Sequence, residues 1–114
     1  MSAVAGLGLC LVTDRGFVPR ERFLTTVDEA IAGGVTMVQL RDKEPGRASR
    51  DVYDDGRALR ELCAARRVPL IVNDRLDLAM ALDADGVHLG QCDLPVTVAR
   101  RLWPQGALFG SSVS

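Results

Sequence analysis

Short apolar runs, each closing on polar residues and each followed by an amphipathic segment, recur from one end of this chain to the other. LGLCLV at 7–12 closes on Thr13 and Asp14, VTMVQL at 35–40 on Arg41 and Asp42, and PLIV at 69–72 on Asn73 and Asp74. GVHL at 86–89 closes on Gly90, Gln91, Cys92 and Asp93, and ALFGSS at 107–112 makes a fifth run. Continuous apolar and β-branched runs of this length read as strands buried on both faces. The intervening segments, 20–33, 49–66, 76–82 and 95–102, read as helices. In the first, Phe23, Leu24, Val27, Ala30 and Ile31 recur at helical spacing and Gly33-Gly34 supplies a stop. In the second, Val52, Leu59, Leu62 and Cys63 point inward, and Gly56 costs up to roughly 1 kcal/mol against alanine. Pro95 stands near the first turn of the last.

Strand and helix in alternation, with short connections, specify parallel β/α units with right-handed crossovers. About five strands and four helices fit an α/β fold of either kind: an open doubly wound sheet or an incomplete (β/α)8 barrel. Element order alone does not choose between them. No long-period repeat, low-complexity segment or linker interrupts the pattern, so 1–114 reads as part of a single domain.

Composition narrows the partners. Apolar residues make up 47% and charged residues 25%, an ordinary globular balance. A net charge of -1 gives no field to attract nucleic acid or acidic lipid, and neither partner is expected. Cys10, Cys63 and Cys92 are odd in number, widely spaced and free of any Cys-x-x-Cys pair, which argues against a zinc knuckle or disulfide framework and for a reducing compartment. The apolar stretch 3–12 has no positive n-region and runs into Thr13-Asp14-Arg15, so it is expected to be a first strand rather than a leader. No run approaches membrane-spanning length, and a cytoplasmic location is expected.

In parallel β/α folds, ligands bind beyond the carboxyl ends of the strands. Gln39, Arg41 and Lys43 stand at i, i+2 and i+4 and share one strand face if the strand persists that far. A guanidinium fork and an ammonium point charge together suit a pyrophosphate, although a solvated turn would present the same residues. Asp74 and Asp93 follow successive strands. Singly, each reads first as a helix cap or turn residue; paired opposite an Arg/Lys cluster, they suit magnesium. His88, the single histidine, is expected to be a hydrogen-bonded interior residue rather than a base. Cys92 has no basic neighbour in sequence to activate it, and Gly6-x-Gly8 precedes a strand and lacks the third glycine of a dinucleotide motif.

The strings LVTD at 11–14, GGVTMVQLRDK at 33–43, VPLIVNDRLDLAMALDADGVHLGQCD at 68–93 and the ending FGSSVS resemble the thiamine phosphate synthase family, over about 9–114. The resemblance implies a partial (β/α)8 TIM barrel, the N-terminal part of a domain that normally needs at least about 200 residues. It implies condensation of 4-amino-2-methyl-5-hydroxymethylpyrimidine diphosphate with 4-methyl-5-(2-phosphoethyl)thiazole, giving thiamine phosphate and pyrophosphate. Gln39, Arg41, Lys43, Asn73 and Ser112 would contact the pyrimidine diphosphate, Asp74 and Asp93 would ligate Mg2+, and no residue acts as catalytic acid or base. Two positions depart from the pattern: Cys10 stands where many relatives carry an aromatic residue, and Asp42 where glutamate is common. Asp42 is expected to face away from the site. The alternatives are a thiazole tautomerase type, which lacks the metal-binding aspartates, and a non-catalytic phosphate-binding or assembly module. An exposed sheet edge would also favour a homo-oligomer.

Overall fold

The computed structural model describes residues 8–14, 20–42, 46–90 and 93–111. Its elements run β1 (Cys10–Asp14), a 3-10 turn at Arg20–Arg22 leading into α1 (Phe23–Ala32), β2 (Met37–Arg41), α2 (Ser49–Ala65), β3 (Leu70–Asn73), α3 (Leu76–Ala81), β4 (Gly86–Leu89), α4 (Val96–Leu102) and β5 (Leu108–Ser111).

All five strands are parallel, in the order β1-β2-β3-β4-β5. A doubly wound sheet reverses its strand order at a switch point. This sheet never does, so every crossover steps the same way, as in a barrel. The burial pattern agrees. Val38 registers with Leu70, Leu40 with Val72, and Val72 with Val87. These side chains form one core cluster with Phe23 and Val27 of α1, Val52, Leu59 and Cys63 of α2, Leu76, Leu78 and Ala79 of α3, and Ala99 of α4. All four helices therefore cover a single face. The other face carries Val12, Gln39, Ile71, Gly86 and Leu108 in one cross-strand row, with Asn73, His88 and Gly110 in the next.

Two strands sit further along than the apolar runs suggest. β1 continues through Thr13 because that residue faces the helices, 6% exposed, with its hydroxyl donating to the Gln39 carbonyl at 3.3 Å. A threonine with its hydroxyl satisfied behaves as a β-branched core residue. β2 begins at Met37, just after Thr36, whose hydroxyl accepts the N–H of Leu9 ahead of β1 at 2.8 Å, and it extends to Arg41. Gly56 also finds its reason here: a Cβ would sit 2.7 Å from Leu82 Cδ1 and 3.1 Å from Leu40 Cδ2, so glycine lets α2 lie close on the sheet.

Cys63 is fully buried on α2. Burial pushes its thiol up to about 11. The folded state thus keeps a proton that the unfolded chain loses near pH 9, so this contribution to stability is complete below that value and disappears as pH climbs through about 11. The Cys63 peptide is expected to resist thiol labelling in native buffer at pH 8 and to label fully in denaturant, while exposed Cys10 labels in both, as read by peptide mass mapping.

Candidate active site at the carboxyl ends of the strands

Because β2 persists to its last residue, Gln39 and Arg41 do share a face, the one turned away from the helices. Asn73 ends β3 and reaches back across the sheet: its Nδ2 donates to Gln39 Oε1 at 2.9 Å. That contact orients both amides and leaves the Gln39 amide nitrogen to donate to a ligand. Beside them, Met37, Gln39, Ile71, His88, Leu108 and Gly110 line a cavity of about 210 Å3. His88 is half-buried and lines this cavity next to Asn73, so the expected interior residue lies at the site rather than within the helix-side core. A Cβ on Gly110 would come within 2.8 Å of its Nδ1, so glycine there leaves room for the ring.

Asp74 and Asp93 are brought together. Asp93 Oδ2 and Asp74 Oδ1 lie 3.2 and 3.7 Å from the point a Cβ on Gly90 would occupy. Both residues line a cavity of about 350 Å3, and Asp93 borders a second of about 410 Å3 with Gly90, Pro95, Thr97 and Ser111. Neither carboxylate caps a helix. α3 starts from Arg75 and α4 from Pro95, each without a side-chain cap. Asp93 Oδ2 instead accepts the Gly90 N–H at 2.7 Å, and the Asp74 N–H donates to the His88 carbonyl at 2.7 Å. Asp74 also holds a left-handed backbone, φ 68°. Arg67 and Asp83 share that conformation, but they follow helix ends, where it is routine. At a strand end it marks a conformation maintained by its surroundings. Two carboxylates about one glycine are the hard oxygen donors a magnesium-type cation uses, with phosphate and water completing its shell. Among the described residues no third His, Cys, Asp or Glu joins them. Lys43 and Ser112 lie outside the described residues, as does Cys92.

A family model for thiamine monophosphate synthase matches residues 9–114. The chain belongs to this family. A thiamine-phosphate synthase of Desulfitobacterium hafniense is 52% identical over 106 residues, covering 93% of this chain and 50% of the relative. One from Campylobacter jejuni is 47% identical over 107 residues, covering 94% and 50%. A solved structure from Pyrococcus furiosus, a thiamine phosphate pyrophosphorylase, superposes with a TM-score of 0.82 at 39% identity, covering 93% of this chain and 50% of that one. The chain spans about half the length of the relatives it matches.

One set of residues in this thiamine monophosphate synthase family member escapes a reading of the sequence. Asp42 does face away from Gln39 and Arg41, but it is no idle loop residue. Arg47 Nε donates to Asp42 Oδ2 at 3.0 Å, and Arg47 also donates to Asp55 Oδ2 on α2 at 2.6 Å. Burial alone would lower the guanidinium's pKa; the hydrogen bonds to Asp55 and Asp42 outweigh it and push the value up, so Arg47 stays charged. Nothing in sequence spacing signals a contact that joins a loop to the middle of the next helix. Among the described residues no helix is long and apolar enough to cross a membrane.

Proposed function

We propose that this chain supplies the diphosphate- and metal-binding half of a thiamine phosphate synthase. The enzyme would join 4-amino-2-methyl-5-hydroxymethylpyrimidine diphosphate to 4-methyl-5-(2-phosphoethyl)thiazole. The observation that carries this reading is the convergence of Gln39, Arg41 and Asn73 with the Asp74–Asp93 pair at neighbouring strand ends. Lys43 and Ser112, from the same motifs, complete the proposed substrate contacts. The bond from the pyrimidine methylene carbon to the diphosphate oxygen breaks, and both electrons leave with pyrophosphate. The thiazole nitrogen lone pair then closes the new C–N bond. Negative charge grows on the leaving group, so the site needs fixed positive charge there and no strong base. Arg41 supplies such charge from the end of β2, and Gln39 and Asn73 hydrogen-bond and orient the substrate. Held by Asp74 and Asp93, Mg2+ would offset the charge of the diphosphate oxygens.

The test is calorimetric titration of the pyrimidine diphosphate into the chain with and without Mg2+, followed by thiazole phosphate and chromatography for thiamine phosphate. Arg41→Ala is expected to weaken binding about 10- to 100-fold, the loss of one charged hydrogen-bonding partner. Wild-type binding that ignores Mg2+, or an Arg41→Ala chain that binds as tightly as wild type, would sink the reading. Binding without turnover would favour a phosphate-binding module instead. The partners in this reading are small molecules. Val12 and Leu108 are 48% and 39% exposed on the two edge strands and give copies of the chain a route to associate. The free thiols Cys10 and Cys63 suit a cytoplasmic setting.

A further inference from the structure

Arg47 lies outside every residue set assigned to a ligand, yet it is held at both ends. Its NH2 nitrogen is 2.9 Å from Asp42 Oδ2 and 2.6 Å from Asp55 Oδ2. The Asp42, Arg47 and Asp55 side chains are 3%, 18% and 11% exposed, whereas the surface pair Arg50–Asp54 is 83% and 50% exposed. Asp42 directly follows Arg41, the last residue of β2. α2, which carries Asp55, is fixed to the core by fully buried Leu59 and Cys63. A continuous path thus runs from the core through Asp55, Arg47 and Asp42 to the backbone beside Arg41.

Stability alone does not account for this arrangement. A buried ion pair is commonly matched or bettered by apolar residues of similar volume. Here two carboxylates share one guanidinium, and Asp42 Oδ1 is buried with no hydrogen-bond partner among the described residues. What a planar guanidinium fork supplies is direction. We propose that Arg47 is a positioning residue: through Asp42 it fixes the backbone at the end of β2, and so sets the direction of the Arg41 guanidinium for a diphosphate over a single phosphate. This rests on the diphosphate site proposed above.

The test titrates the full chain, in Mg2+, with inorganic pyrophosphate and separately with orthophosphate. Three variants are used. Asp42→Asn/Arg47→Gln removes both charges together, Asp55→Asn releases only the α2 end, and Arg47→Lys keeps the charge without the fork. Each is expected to lower pyrophosphate affinity about tenfold, as loss of an outer partner commonly does. Orthophosphate affinity should hold, so the ratio of the two falls by the same factor. A purely structural role would lower both affinities together with the thermal midpoint and leave the ratio intact; that result overturns the proposal, as does an unchanged ratio at unchanged affinity. If the double variant does not fold, Asp55→Asn and Arg47→Lys decide by the same ratio. Wild-type pyrophosphate binding that requires Arg41 but ignores the clamp overturns the clamp alone. Wild-type chain that fails to bind pyrophosphate through Arg41 overturns the diphosphate site and the clamp with it.

Discussion

Replacing Asp74 and Asp93 together with asparagine is expected to abolish the Mg2+ dependence of pyrimidine-diphosphate binding and to weaken that binding a hundredfold or more. The chain should stay folded. Asp74 and Asp93 lie outside the helices that follow them. Neither caps a helix. Asp93 accepts one backbone N–H, from Gly90, and an asparagine carbonyl can accept the same bond. Asparagine keeps nearly the shape of aspartate and an accepting oxygen at each position, so the fold is expected to survive. Their charge is another matter. Two carboxylates within 4 Å of one point beside Gly90 offer the paired hard oxygen donors that a magnesium-type cation takes, and asparagine removes the charge of both. Losing two charged ligands at about 1.5–3 kcal/mol each predicts a loss of a hundredfold or more in metal-assisted affinity. The measurement is a pair of titrations, with Mg2+ and with chelator, on wild type and double variant. If Mg2+ strengthens binding by the same factor in both, these aspartates do not hold the metal. A small change in thermal midpoint alongside lost Mg2+ dependence separates a ligand role from a folding role.

The polar strand ends make much of this candidate site legible in the sequence. Arg41 and Asn73 close apolar runs and Gln39 lies near the end of one, and a parallel β/α chain must deliver such residues to one rim. Helix limits were legible where backbone chemistry sets them, as at Gly33-Gly34 and Pro95. Strand neighbours were not, because a run of Val and Leu carries no record of which other run it pairs with. Only the order β1-β2-β3-β4-β5 separates a barrel segment from a doubly wound sheet. Strand limits slipped where a polar residue found an internal partner: Thr13 and Thr36 read as strand boundary and strand interior and prove to be the reverse. Asp42 illustrates the same limit at the site. Its outward direction follows from strand alternation, but its burial depends on Arg47 and Asp55, whose convergence is a tertiary fact.

Gly86 concentrates that lesson in one residue, and Gly86→Ala is expected to be the most disruptive single-methyl addition in the sheet. In sequence it merely opens the run GVHL. In the fold it registers between Ile71 of β3 and Leu108 of β5, and a Cβ there would meet the Leu108 carbonyl oxygen and Leu108 Cβ. That oxygen is a backbone atom, which no rotamer change can move. Nor can the strands easily part. The preceding residue, Asp85, ties three of them: its N–H donates to the Leu70 carbonyl, its own carbonyl accepts from Ala107 and Leu108, and its Oδ2 accepts from the Leu70 N–H at 2.8 Å. Relieving the clash means opening the start of the β4–β5 ladder and pulling on β3. Overpacking in cores typically costs 1–3 kcal/mol; a clash with backbone belongs at or beyond the top of that range, roughly 3 kcal/mol or more. Against a total stability of about 5–15 kcal/mol, the thermal midpoint should fall by about 10 °C or more. Gly33→Ala is the matched control, since its Cβ would meet nothing closer than 3.4 Å at the end of α1, and its midpoint should move by only a few degrees. Equal shifts in the two variants would show that β5 does not sit against Gly86 in solution, and the five-strand order would have to be redrawn at its last step.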